Sequence, residues 1–256
     1  MTVDVVPIAW AAVCGRYTST STVAELAEVF EVDEVRTEEM PARWNVAPTL
    51  PVYAVALTRR GTDDADKGPR RALGTFRWGL VPSWARDPAV GNRMINARAE
   101  GITAKPAYRA AVARRRCLIP ADAFYEWQRR TRDGRPAGKL PHAVRRRDRR
   151  PMALAGVWEV WRPAGQPEAE PLRTCAIITT AANGLMAPIH DRMPVILEAP
   201  DWAAWLDPDT DMAVIEGLLV PAGPSVLEAF PVSTLVNKVG NDGPELLEPL
   251  PPPPGG

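Results

Sequence analysis

The chain reads as one α+β domain dominated by strands, and three observations predict it. Short apolar runs recur along its length between turn-forming breaks. Helical periodicity is confined to a few brief stretches. Regular strand–helix–strand alternation, the mark of a doubly wound fold, is absent. With 256 residues the chain is long enough to bury a proper core. No internal repeat or clean linker divides it.

The elements follow in order. Thr22-Val23-Ala24-Glu25 forms a capping box, and Val23, Leu26, Ala27 and Phe30 continue it at helical spacing. Pro41 to Pro51 is too rich in proline for a helix. Val52–Leu57 and Leu73–Leu80 predict two strands joined by a long charged connection. Pro106 opens a short helix through Arg114. Cys117–Pro120 and Ala123–Trp127 are strand-like, and Gln128 to Pro141 reads as a mobile basic hairpin loop. Val144–Arg147, Met152–Trp161, Thr174–Thr180 and Met193–Leu197 continue the β pattern, with a loop at Arg162–Pro171. Trp202–Leu206 and Met212–Leu219 predict short helices, and the four consecutive prolines after Leu250 predict a disordered tail over 249–256.

Composition removes several function classes. Two histidines, His142 and His190, and three irregularly spaced cysteines argue against a metal centre and a disulfide framework, and suit a reducing cytosol. No apolar run is long enough to span a bilayer. Met1–Ala12 lacks a basic n-region and carries Asp4, unlike a secretory signal. The net charge of zero conceals a segregation. Residues 105–150 hold 15 Lys/Arg against 4 Asp/Glu, and residues 151–256 hold 4 against 14. A basic middle of this kind permits a nucleic-acid-binding face, and a coding bias toward arginine on solvated loops would produce it too.

Four segments set polar groups among apolar, strand-like neighbours: Cys14–Tyr17, Asn96–Glu100, Phe124–Trp127 and Ile189–Pro194. Glu126 alternates with Tyr125 and Trp127, which more often marks the solvent face of a half-buried strand. Turned inward, it would be desolvated and raised toward the range of a useful base. His190 beside Asp191 is more often a structural pair, yet it is the candidate proton donor near neutrality. Asn96 and Arg98 share one face of a strand, an amide and a guanidinium suited to a sugar–phosphate. Trp78 and Trp84 flank Gly79–Ser83, a turn able to display an indole for base stacking. Cys117 and Cys175 lie in apolar strands and read as inert core.

Six ordered motifs carry a resemblance. Cys14–Tyr17, Trp44–Thr49, Arg77–Trp84, Asn96–Glu100, Arg116–Trp127 and Ile189–Pro194, with Val236-Asn237 and Asn241–Pro244 behind them, resemble the SOS-response-associated peptidase (SRAP) family from Cys14 to about Pro249. The resemblance implies a β-rich α+β domain over 14–248 with a positively charged channel. It further implies a sensor of abasic sites in single-stranded DNA that is crosslinked covalently through an N-terminal cysteine. By motif position Cys14 is the nucleophile, surrounded by Asn96, Glu126 and His190, while Arg16, Asn45, Trp78 and Arg98 line the pocket and DNA groove. The implied protein is an enzyme of peptidase-like or lyase-like chemistry. It needs no cofactor or metal, acts on single-stranded DNA in the cytoplasm or nucleoid, avoids membranes and is a monomer.

The sequence departs from this family at one point. The family presents the cysteine directly after the initiator methionine, whereas residues 1–13 precede Cys14 here. An internal amide nitrogen cannot form an imine. Val13 occupies the position of the initiator, and a GUG codon would supply it, so residues 1–13 are expected to be a mis-annotated start or a removed leader. Two rivals stand beside the main reading: a thiol autopeptidase that cleaves its own leader, and a non-covalent single-stranded DNA binder.

Overall fold

The computed structural model describes residues 14–58, 69–132, 135–166 and 168–251. Fourteen strands and four α-helices follow one another among them. In the first third these are β1 (Tyr17–Ser19), α1 (Val23–Val29), β2 (Glu34–Arg36), β3 (Arg43–Val46), β4 (Pro51–Thr58), β5 (Arg70–Trp78) and β6 (Asn96–Arg98). The middle supplies α2 (Arg109–Arg114), β7 (Arg116–Ala121), β8 (Ala123–Arg132), β9 (Arg135–Arg146), β10 (Met152–Trp161) and β11 (Leu172–Ala181). The end adds β12 (Arg192–Pro194), β13 (Ile196–Leu197), α3 (Ala199–Leu206), α4 (Met212–Gly217) and β14 (Leu227–Pro231). Strand content outweighs helix, and the α+β expectation holds.

One sheet closes on itself. Strands β11, β10, β7, β4 and β5 pair in that order, and β5 then returns to β11 in parallel through Thr174–Arg77 and Cys175–Trp78. The ring has two apolar faces because side chains alternate along each strand. Val52, Ala54, Phe76, Trp78, Ile119, Leu154 and Ile177 form the interior. Tyr53, Val55, Leu73, Leu118, Val157 and Ile178 face outward, under a cover that includes Leu26, Val112, Trp205 and Ile215 of the helices and Phe30 at the end of α1. The Phe30 ring stacks on Trp202 at 4.9 Å between centroids. Strand positions read as simple apolar runs are therefore buried on both sides.

The α1 capping box forms as its sequence predicts: the Thr22 side chain accepts from the Glu25 amide, and Glu25 accepts from the Thr22 amide. The helix expected from Pro106 begins only at Arg109, after a run of turns. Gln128 to Pro141 is not a loop. The β8 and β9 strands pair across it from Ala123–Arg145 to Arg132–Arg135, an antiparallel ribbon broken by one bulge. Arginine-rich sequence masked this, since a ribbon projecting into water needs no apolar alternation. Pro249 bridges to Val232, and the Leu250 amide donates to Pro231, so order runs past the expected start of the tail. Residues 1–13 and 252–256 lie outside the described residues.

The second sheet runs β14-β9-β8-β1-β3. Its β8 strand leads straight from β7 and carries one face toward the barrel interior, through Phe124, and the other toward a small cluster of Tyr125, Ala143, Val232, Val236 and Leu246. Strand β3 and the C-terminal segment clamp that second face: Tyr125 Oη donates to the Trp44 carbonyl of β3, and Trp127 Nε1 donates to Asn237 Oδ1 at 2.7 Å.

Candidate active site

The site forms where β1 enters the second sheet. Cys14 stands three residues before the start of β1 with φ +48°, a left-handed turn that brings its nitrogen back over β8. Asp122 fixes the other end of β1. Its carboxylate accepts from the Thr20 and Ser21 amides and from both hydroxyls, and the Tyr125 amide donates to the Arg16 carbonyl. The Cys14 nitrogen consequently donates to Glu126 Oε1 at 2.5 Å.

Glu126 points inward, against the commoner pattern for such an alternation, and is only 2% exposed. Alternation misleads here because the C-terminal clamp buries Tyr125 on the opposite face, so β8 has no solvent side at this point. Burial pushes the Glu126 carboxyl up to about 8, with nearby Asp191 adding to the rise; the Cys14 and Trp127 amides and Lys139 oppose it. Burial, with Glu126 second, also holds the Cys14 thiol well above its ordinary value, so sulfur is protonated at neutral pH.

His190 lies in a turn between β11 and β12 that docks on β8. Asn183 Oδ1 accepts from the Leu185 and Met186 amides, the His190 amide donates to the Met186 carbonyl, and Gln128 Nε2 donates to Pro188 O at 3.0 Å. Gln128 lies two residues beyond Glu126 on the same face, which ties this turn to the glutamate. Burial lowers the His190 pKa; Asp191 opposes that, while Arg129, Lys139 and Arg192 deepen it. The neutral ring accepts the Arg192 amide at Nδ1, 3.1 Å, which places its proton on Nε2. Asp191 Oδ1, 2.9 Å from Nδ1, becomes an ion-pair partner only once the ring is protonated.

Asn96 arrives by a tandem pairing. After Trp78 the chain leaves β11 at Gly79, loops out, and returns as β6 to pair with Ile177–Thr179 of the same strand. Gly79 has φ +128°, and a Cβ there would sit 2.5 Å from the Gly91 carbonyl oxygen, so this exit requires glycine. Asn96 is half-buried, and its neighbour Ile95 shares an apolar cluster with Cys14. Arg98 is exposed on the same strand face, with Ala97 buried between them.

The other expected DNA contacts divide. Arg16 Nη1 donates to Asn45 Oδ1 and to the Val236 carbonyl, and Asn45 Nδ2 serves the carbonyls of Val236, Lys238 and Asn241. Asn45 is thus an organiser of the C-terminal segment rather than a surface contact. Trp78 corrects the expectation outright. Its indole is wholly buried, packs edge-on against Tyr17 at 5.2 Å, and donates to the Ile95 carbonyl. No base reaches it. Trp84 is the displayed indole of that segment, 68% exposed. Cys117 and Cys175 are buried thiols pushed upward by desolvation, as core cysteines should be.

Sequence reasoning missed Asp122, Gln128 and His142. The first stands inside the Arg116–Trp127 motif and was legible there as a polar residue among apolar ones. His142 faces Glu126 across the β8–β9 register and so shares its face, a relation hidden once the segment was read as a loop. Among the described residues no cluster of three His, Cys, Asp or Glu is placed to hold a metal, and no helix is long and apolar enough to cross a membrane.

The fold and the site define a small closed barrel that holds, at one end, a cysteine nitrogen on a buried carboxylate. The chain belongs to the SOS response associated peptidase (SRAP) family, whose model matches residues 13–239. It is 41% identical over 237 residues to a Bacillus subtilis (strain 168) protein named Abasic site processing protein YoqW, covering 92% of this chain and 99% of that one. A Gallus gallus protein named Abasic site processing protein HMCES is 33% identical over 219 residues, 77% of this chain and 63% of that one. A crystal structure of a Bacteroides thetaiotaomicron protein superposes with a TM-score of 0.77 over 93% of this chain and all of the other at 23% identity, which establishes the shared fold.

Proposed function

We propose that this protein captures abasic sites in single-stranded DNA as a covalent thiazolidine, using the α-amine and thiol of Cys14 once the peptide bond to Val13 is absent. The supporting observation is the 2.5 Å contact between the Cys14 nitrogen and a buried glutamate. An open-chain abasic sugar carries an aldehyde at C1′. Glu126 takes a proton from the α-ammonium, and the freed amine, with an ordinary pKa of roughly 7.7–8.0, attacks that carbon. Loss of one water gives an imine. The thiol sulfur then bonds to the imine carbon while its proton passes to nitrogen, closing the ring. His190, protonated on Nε2, donates to the sugar ring oxygen as it opens, and the Asn96 amide holds the nascent ring.

The raised thiol pKa supports amine-first attack over the autopeptidase reading, which needs an activated thiolate. Arg16 and Arg98, with Trp84 as the indole available for base stacking, are assigned to the strand of DNA. The names of the similar proteins support the same substrate. The test is to incubate the Cys14-initiated chain with an abasic oligonucleotide and run a denaturing gel after heating. A heat-stable band that Cys14→Ala lacks is the expected result. Reversible, salt-sensitive binding alone would favour the non-covalent reading.

A further inference from the structure

The barrel has a second end, and its construction differs from the first. Around Cys14 the interior is filled by Tyr17, Trp78, Phe124 and Ile119. Toward the opposite mouth the inward positions shrink to Ala56, Ala72 and Gly74, and the strands splay around a cleft of about 930 Å³. That volume lies within the range of small-molecule sites. Trp158 stands in its wall with one flank half-buried, held edge-on by Phe76 at 5.8 Å.

Its cations are not equivalent. Arg115 is committed to Glu159 at 2.6 Å, and Arg36 to Glu34 at 2.7 Å. Buried Arg116 gives its donors to the carbonyls of Val112, Ala113, Trp205 and Asp207, capping the C-terminal ends of α2 and α3. Arg114 and Arg173 remain. Both line the cleft, both are exposed, and neither has a side-chain hydrogen bond or ion pair among the described residues. Asp207 and Asp209 stand on the same rim.

From this we infer that the cleft is a binding site for a mononucleotide. Two uncommitted guanidinium groups suit the phosphate, the Trp158 ring suits the face of a base, and the two aspartates accept from the sugar hydroxyl and exocyclic amine. A bare phosphate would satisfy only the first and would meet the aspartates as repulsion. The site is separate from Cys14, so it stands whether or not the crosslinking reading does.

The test is calorimetric titration of the full chain with deoxyadenosine monophosphate, deoxyadenosine and inorganic phosphate in separate arms. Saturable binding of the nucleotide is expected, with each other ligand weaker by about tenfold or more. Arg114→Glu and Arg173→Glu, both on exposed positions, should each weaken the nucleotide by about tenfold while leaving adduct formation with abasic DNA unchanged. Protein already carrying DNA on Cys14 should bind the nucleotide as before. Absence of saturable binding, equal affinity for inorganic phosphate, indifference to both arginine variants, or displacement by the Cys14-bound strand would each overturn the assignment.

Discussion

Glu126 and the nitrogen of Cys14, 112 positions apart in sequence, meet at 2.5 Å in a site that excludes water from the carboxyl group. Their pairing sets the sign of a pH dependence. The folded carboxyl titrates near 8 against 4.5 for an ordinary glutamate. Below pH 4.5 both folded and unfolded chains hold the proton, and stability is full. Between 4.5 and about 8 the unfolded chain releases it while the folded one retains it, so stability falls by up to about 5 kcal/mol. Glu126→Gln keeps the shape and removes the titration. Thermal melts across this window should show the wild-type chain losing stability relative to the Gln variant as pH rises; parallel curves would contradict the assignment. Starting the chain at Cys14 puts an ammonium against the carboxylate, which lowers its pKa and shrinks the loss.

His190 should matter to rate and little to affinity. Its neutral ring accepts at Nδ1 from Arg192, leaving Nε2–H as donor. His190→Ala should slow adduct formation by about a hundredfold in single-turnover time courses, with binding of undamaged single-stranded DNA unchanged. An unaltered rate would remove it from the chemistry.

The two tryptophans flanking Gly79–Ser83 are predicted to separate cleanly. Trp78→Ala empties a core position and should cost about 3–5 kcal/mol in chemical denaturation. Trp84→Ala should leave stability within about 0.5 kcal/mol and weaken single-stranded DNA binding by an amount worth about 1–3 kcal/mol. The reverse pattern would restore Trp78 as the stacking residue.

Asn45 holds three carbonyls of the C-terminal segment and receives Arg16. Asn45→Ala should destabilise the fold by about 2 kcal/mol, read as a lowered denaturation midpoint, and should loosen protease protection at 236–241 first.

Local chemistry was legible wherever one residue decides the structure. The Thr22–Glu25 capping box, the strands at β4, β7 and β10, and the inert Cys117 and Cys175 are all of this kind. The candidate site residues stood out as motifs, because Cys14, Asn96, Glu126 and His190 each interrupt an apolar segment. What could not be read is long-range. Whether Glu126 faces in or out depends on Val232, Val236 and Leu246 covering the other side of β8, contacts over a hundred positions away. The barrel's closure rests on two pairings, Thr174–Arg77 and Cys175–Trp78, that no local pattern announces. Trp78 failed for the same reason: its burial follows from Tyr17 folding over it.

The central claim concerns which atoms bond to the sugar, and intact mass spectrometry addresses it directly. The Cys14-initiated chain is mixed with an oligonucleotide bearing one abasic site, alongside the same chain with Val13 retained. Capture by amine and thiol together predicts an adduct only for the first chain, at the summed mass less one water, and none after Cys14→Ala. A stable adduct of equal yield on the chain that still carries Val13 would contradict it.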